Sequence, residues 1–221
     1  MKKSLFIIIL VCLSSNTFAQ FDGGERSPFS FMFNTSGAIA WFKANSTAPS
    51  SASTSLKGVG CIGASIDYQF NDYFSMRGGL FLSGKGSNVD GLLIPYTADI
   101  ITSYDLYYLE ETLYFTGHIP LGNDANIFLG TGPYYANGLF GSSKVNYESG
   151  PNQGVKFGNT GDFKSNDYGI TSLIGFKAER GYSISLVYDL GLTNIAQPRY
   201  TNVYNLEFKN RSVYISFGYS F

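Results

Sequence analysis

Val213-Tyr-Ile-Ser-Phe-Gly-Tyr-Ser-Phe221 puts a large apolar or aromatic side chain at every second position of the last nine residues. Successive side chains of a strand point to opposite faces, so Val213, Ile215, Phe217, Tyr219 and Phe221 share one face and Tyr214, Ser216, Gly218 and Ser220 the other. A water-soluble sandwich would turn the apolar face inward, whereas a barrel in a membrane would turn it out to lipid. The rest of the chain has to decide between the two.

At the other end, Lys2 and Lys3, the apolar run Leu5 to Leu13 and the small-x-small Thr17-Phe18-Ala19 read as a secretory signal over residues 1–19. Cys12 lies inside that run with Val11 before it, where a lipoprotein signal would need a small residue. Cleavage after Ala19 leaves a short tail over 20–28 and a barrel domain over 29–221. The whole sequence carries a net charge of −1, and losing two lysines makes the remainder more acidic, so there is no basic stripe for nucleic acid. Cys61 is then the one remaining cysteine, which excludes an intrachain disulfide. The segments after the signal fall short of the roughly twenty apolar residues of a spanning helix, so insertion in a membrane must be by strands.

Abundant Gly, Tyr and Phe with few charges, in alternating segments bounded by Asn, Asp, Gly and Pro, predict an all-β chain. Eight strands are expected over 29–42, 56–70, 74–84, 104–119, 126–140, 165–178, 182–194 and 206–221. Their connections alternate. Asn71 to Tyr73, Pro120 to Ala125 and Glu179 to Gly181 are tight turns, whereas 43–55, 85–103, 141–164 and 195–205 are long, with Gly141 to Gly161 expected as a mobile, solvated loop. Short turns at one end, long loops at the other and an even strand number are the pattern of an eight-stranded antiparallel up-and-down transmembrane β-barrel.

Register strengthens this. With Asn71 to Tyr73 as a turn, Phe70 faces Phe74, Tyr68 faces Met76, Ile66 faces Gly78, Ala64 faces Leu80 and Ile62 faces Leu82, while Asp67 falls opposite Arg77 on the other face. The Glu179 to Gly181 turn sets Phe176 by Ile184 and Ile174 by Leu186 on one face, and Lys177 by Ser183 and Thr171 by Asp189 on the other. A soluble ligand carrier of the lipocalin kind would need the apolar faces inside and the polar faces outside. Exposed to water, the apolar faces together would exceed the few hundred Å² a soluble monomer leaves uncovered. Asp67, Arg77, Glu110, Lys177 and Asp189 are therefore expected as a polar network or ion pairs inside the barrel. Trp41, Tyr68, Tyr73, Tyr107, Tyr135, Tyr182 and Tyr219 suit aromatic girdles at the two membrane surfaces.

Three segments resemble the PorT-like outer-membrane β-barrel domain family. Tyr108-Leu-Glu-Glu-Thr-Leu113 is similar to its Tyr-Leu-Glu-Ile-Pro-Leu strand, Phe128-Leu-Gly-Thr-Gly-Pro-Tyr134 to its Gly-Pro-Tyr strand, and Asp189-Leu-Gly-Leu-Thr-Asn-Ile195, with Tyr188 before it, to its Gly-Leu-Thr-Asn-Ile segment. The resemblance implies a barrel in the outer membrane of a Gram-negative bacterium, inserted by the barrel-assembly machinery through a C-terminal strand ending in Phe221, and no single activity. Glu111 stands where the family has an apolar residue. It either turns inward at a bulge, sits near a membrane surface, or meets a partner. Thr112 replaces the family's proline.

Chemistry is sparse. The one histidine, His118, falls beside the short Pro120 turn, whereas lipid-modifying barrel enzymes keep theirs near the external leaflet. No metal-ligand spacing and no cofactor motif are present. The expected role is a non-enzymatic barrel in contact with outer-membrane lipid, whose external loops bind a protein or glycan and which could serve export or envelope structure. A lipid-modifying enzyme is the alternative from a different class, and a serine and an acid beside His118 at the outer leaflet would favour it.

Overall fold

The computed structural model describes residues 27–45, 53–90, 101–122, 125–145, 152–197 and 207–221. The expected signal over 1–19 lies outside the described residues, as do residues 20–26 of the expected tail. The strands are β1 (Phe29–Asn45), β2 (Ser53–Ser55), β3 (Lys57–Asn71), β4 (Phe74–Asp90), β5 (Ile101–Gly122), β6 (Ala125–Val145), β7 (Gln153–Val155), β8 (Asn166–Lys177), β9 (Tyr182–Gly191) and β10 (Glu207–Ser220). The eight long ones form an antiparallel ring in chain order, β1-β3-β4-β5-β6-β8-β9-β10. β1 closes the ring on β10 along their whole shared length, from Met32↔Ser220 to Asn45↔Glu207. Short β2 extends the β4 edge and β7 pairs with β6; neither was expected from the sequence.

The expected register holds from Ile62↔Leu82 to Tyr68↔Met76, including Asp67↔Arg77, and in the β8–β9 hairpin from Thr171↔Asp189 to Lys177↔Ser183. One pairing differs. Phe74 faces Asn71 and not Phe70, with an irregularity between Gln69 and Asn71. The Asn71 side chain accepts the backbone N–H of both Tyr73 and Phe74, each at 2.9 Å, and so takes the corner position itself. In the β8–β9 turn, Gly181 has φ of 82° and donates its N–H to Ala178 at 3.0 Å, a conformation that favours glycine.

β4 runs six residues beyond its expected end at Gly84 and β6 runs on to Val145. Lys85 to Asn88 lack apolar alternation, but a ladder needs only backbone partners, and β4 pairs with β5 as far as Asp90↔Ile101. Of the stretch expected as a mobile loop from Gly141 to Gly161, the described residues finish β6, form β7 and then turn into the barrel mouth.

The two faces separate cleanly. Phe31, Ile62, Leu82, Phe115, Leu129, Ile174, Leu186 and Phe217, one from each long strand, are all exposed, whereas Ser75, Arg77, Glu110, Thr171, Asp189 and Ser216 are buried. Ile184, Leu186, Ile215 and Phe217 point away from the fold, so hydrocarbon and not a core solvates them, and the chain is a transmembrane barrel. Trp41, Tyr68, Tyr73, Tyr107, Tyr135, Tyr182 and Tyr219 all belong to the outward set by strand alternation or lie at its turns.

Glu111 does not turn inward. The β5–β6 irregularity falls between Tyr107 and Tyr108, so Glu111 keeps its outward place opposite Leu80 and Tyr135 and is exposed. At about 3.3 Å per residue and a tilt near 45°, it stands roughly 23 Å above Leu121, at the long-loop edge of an apolar band about 25 Å tall. A nearby peculiarity has a simple cause: the β5–β6 ladder skips Leu113 and Tyr114, where β6 offers Pro133, which has no N–H to give.

Leu186→Arg, in the middle of the outward face of β9, should destabilise the folded protein by about 2–4 kcal/mol in urea titrations in lipid vesicles, and Tyr182→Arg at the strand end by about 0–1 kcal/mol. Equal costs for the two would contradict the lipid-facing assignment.

Candidate functional site

The barrel interior is layered. At the short-turn end Ser75 of β4, His118 of β5 and Asn126 of β6 line up across three adjacent strands. Ser75 Oγ lies 2.8 Å from His118 Nε2 and Asn126 Oδ1 lies 3.2 Å from His118 Nδ1. With the proton on Nδ1, the imidazole donates to the amide and accepts from the serine, the hydrogen-bond order of a Ser-His-Asn hydrolase. Ser75, however, is only 2 % exposed, which leaves its hydroxyl covered.

One layer up, Arg77 donates to Asp67 Oδ2 through its terminal nitrogen at 2.9 Å and through Nε at 3.3 Å. Its guanidinium lies 4.9 Å above the centre of the Phe128 ring. The pair follows directly from the register, since the two residues oppose one another on the inward face of the β3–β4 hairpin. Tyr114, Phe128 and Leu173 pack into a small apolar cluster beside it, and Tyr114 is hydrogen-bonded to Thr171 at 3.0 Å.

Above this pair lies a cavity of about 50 Å³, lined among others by Arg77, Cys61, Glu110, Thr112, Asp189 and Tyr214. That is room for a few water molecules and not for a small-molecule ligand. Its roof gathers one ammonium and three carboxylates. Lys85 Nζ, fully buried, lies 2.7 Å from Glu110 Oε2, 3.4 Å from Asp189 Oδ2 and 3.8 Å from Asp167 Oδ2, and 4.0 Å from the centre of the Tyr134 ring. Asp167 also accepts from the Tyr134 hydroxyl at 3.1 Å and from Asn210 Nδ2 at 2.9 Å. Six strands supply these side chains, so the cluster ties the ring across its own lumen.

The long-loop end is closed by an apolar lid. Phe42, Leu106, Tyr108 and Phe208 from the barrel wall meet Phe163, Ile195 and Ala196 from the segments after β7 and β9. Phe163 packs edge-on to Tyr104 at 5.2 Å and lies 5.9 Å from Phe42. The inserted segments hold one another: Phe163 bridges to Ala196, Gln197 donates to the Gly158 carbonyl, and Lys164 Nζ donates to the Asn194 carbonyl at 2.9 Å. Asn194 Oδ1 in turn accepts the N–H of Ala196 and of Phe208, each at 3.0 Å. The Thr193-Asn194-Ile195 stretch thus steers the chain leaving β9 down into the mouth.

Of the five residues expected as an interior ion pair or polar network, Asp67 and Arg77 form one pair and Glu110 and Asp189 both belong to the Lys85 cluster; the fifth is Lys177. It faces inward at the short-turn end, beside Asn126 and Ser183 in the register. Lys85, Asp167, Tyr134 and Asn210 were not expected. The sequence placed Lys85 in a loop, yet the alternation Arg77, Gly79, Phe81, Ser83 reaches it on the inward face if followed one step further. Phe221 lies with its ring 4.9 Å from Tyr219 and its N–H on the Phe31 carbonyl at 2.8 Å. Among the described residues no group of three or more potential metal ligands gathers.

Removing one partner of a buried pair leaves the other charge uncompensated, at about 3–5 kcal/mol. Asp67→Ala should therefore lower the unfolding midpoint in detergent clearly, and Asp67→Ala combined with Arg77→Met should recover most of the loss. Lys85→Met, which strips from three carboxylates the one close cation among the described residues, should cost more than Asp67→Ala in the same titration. An unchanged midpoint for either single variant would refute the layered interior.

No family model matches the chain, and no curated protein sequence matches it. Among solved structures, the outer membrane protein OprG from Pseudomonas aeruginosa is 14% identical, with 90% of this chain and 98% of that one covered and a TM-score of 0.47. Neisserial surface protein A is 13% identical, covering 88% and 96%, with a TM-score of 0.43. The outer membrane protein AlkL, determined in lipid bilayers, is 9% identical, covering 90% and 93%, with a TM-score of 0.48. What this chain is similar to is thus a set of small barrel proteins, and the assignment of its own fold rests on the closed ring, the outward apolar belt and the charged interior described above.

Proposed function

We propose that this chain is a non-enzymatic barrel of the Gram-negative outer membrane, exported by residues 1–19, anchored in lipid over 29–221, and acting through its external loops on a protein or glycan. The observation that carries the reading is the blocked lumen. Below the Phe42, Phe163 and Phe208 lid the described interior is filled by the Lys85 cluster and the Arg77 pair, and the cavity between them has room for a few waters only. A barrel that conducts nothing has its lipid face and its loop end left for function. The Tyr188 to Ile195 stretch supports placing it near the PorT-like proteins, with a part in export or envelope structure, and the aromatic alternation of β10 through Phe217, Tyr219 and Phe221 supports delivery by the barrel-assembly machinery.

The Ser75-His118-Asn126 alignment is the one feature favouring a lipid-modifying enzyme, and its place speaks against that role. It lies at the short-turn end, facing into the lumen, with its serine covered. A structural role is sufficient: these hydrogen bonds join β4, β5 and β6 across the short-turn end.

Two measurements test these statements. In planar lipid bilayers the refolded protein should give no steady conductance steps, and porin-like steps would overturn the blocked-lumen reading. A fluorophosphonate probe should leave Ser75 unmodified in membranes, and labelling abolished by Ser75→Ala and by His118→Ala would establish the enzyme instead.

A further inference from the structure

At the long-loop end of β1 and β10, cations gather on the outward face of the barrel. Trp41 and Lys43 alternate outward on β1, Lys209 and Arg211 on β10, and the register sets Trp41 opposite Arg211 and Lys43 directly opposite Lys209. Two lysines facing each other across a strand pair repel. The nearest carboxylate, Glu207 on the same face, reaches Lys209 only at 3.9 Å and is itself held by Asn45 Nδ2 at 3.4 Å. Arg211, largely buried, donates to the backbone carbonyls of Gly191 and Asn210, and no carboxylate among the described residues pairs with it. Three cations and one acid therefore share a small outward patch on a protein whose overall charge is negative.

Height gives the patch its meaning. The apolar outward residues of β1 run from Phe29 to Ile39. At about 3.3 Å per residue and a tilt near 45° this run accounts for roughly 23 Å of an apolar band about 25 Å tall, which puts Trp41 at its edge and Lys43 some 5 Å further, at headgroup level. Below the cations the wall is smooth. Gly37 faces Gly60 and Ile39 faces Gly58, and the space over Gly37 and Gly58 is open where side chains would stand. Such a wall leaves room for acyl chains between Ile39, Ile62 and Ile215.

We infer that Lys43 and Lys209, backed by Arg211 and flanked by Trp41, bind the net-anionic, phosphorylated headgroup of a membrane lipid in the leaflet at the long-loop end, with its chains lying over Gly37, Gly58 and Gly60. An anion between the lysines removes their repulsion, and the lipid supplies at once the charge and the hydrocarbon that this face calls for. The inference rests on the membrane placement proposed above and adds a ligand class to it.

Native mass spectrometry of the refolded full chain in a non-ionic detergent tests it, with a diphosphorylated glucosamine lipid as probe and phosphatidylcholine and inorganic phosphate as comparisons. The phosphorylated lipid should be retained. Lys43→Ala should weaken retention about fivefold and the double variant with Lys209→Ala about thirtyfold, the scale of one near-surface cation apiece, while the Lys43→Arg, Lys209→Arg pair should retain it. Lys144→Ala, exposed on β6 across the ring, should change nothing. Retention of phosphatidylcholine to the same degree, loss with Lys144→Ala, or no loss in the double variant would overturn the site, and saturation by inorganic phosphate alone would overturn the lipid as its occupant. Each variant is first checked for the heat-modifiable gel shift of a folded barrel. A chain that stays in solution without detergent would instead refute the membrane placement, and this site with it.

Discussion

Everything in this molecule depends on the ladder between its first and last strands. In hydrocarbon an unpaired backbone N–H or C=O costs several kcal/mol, and an open sheet would carry two rows of them. Pairing β1 with β10 from Met32↔Ser220 to Asn45↔Glu207 removes both edges at once. Closure also fixes which side chains see lipid, because a one-residue slip would send Phe217 and Ile215 inward and Ser216 and Tyr214 out. The terminal strand is therefore both the last piece of the wall and the piece that sets its register.

Closing the ring creates a lumen too narrow for a channel and too polar to leave empty. An eight-stranded barrel is filled by its own side chains, and here the filling is ionic. Buried charges are tolerable only when paired and hydrogen-bonded, which accounts for the architecture around Lys85: one ammonium facing three carboxylates, with Tyr134 and Asn210 taking up Asp167. The mouth is then covered by a ring folded in from outside the barrel wall, Phe163, which packs on Phe42, itself 5.2 Å from Phe208. Polar filling below and an aromatic lid above occupy the described lumen, which is the basis for proposing that the loops and the outer wall carry the function.

The outer wall is not uniform. Glu111 on β5 and the Lys43, Lys209 and Arg211 group on β1 and β10 stand on opposite sides of the ring, both near the long-loop edge of the apolar band. A carboxylate there is tolerable because the cost of charge falls toward the membrane surface. The cationic side is the more specific feature, since mutual repulsion demands a counter-charge that the described chain supplies only in part. Smooth glycine wall beneath it turns an electrostatic patch into a place where a lipid can lie.

By itself the sequence determined the wall. Period-two alternation in Val213 to Phe221 and Tyr182 to Leu192, turns marked by Asn71 and Gly181, and the sorting of short and long connections were enough to define eight strands, their register and the Asp67–Arg77 pair, because all of these are local or depend on one hairpin. What only the tertiary structure decided is the inside and the rim. Lys85, Asp167 and Asn210 come from three separate hairpins, and their meeting depends on ring closure and strand stagger, which leave no trace in local periodicity. Phe163 and Ile195 sit in segments without alternation, so nothing marked them as a lid, and Lys43 and Lys209 are far apart in sequence until the first strand closes on the last. The physical reason is the same in each case: a strand's faces are set by its own residues, but what crosses the lumen or the seam is set by where the other strands end up.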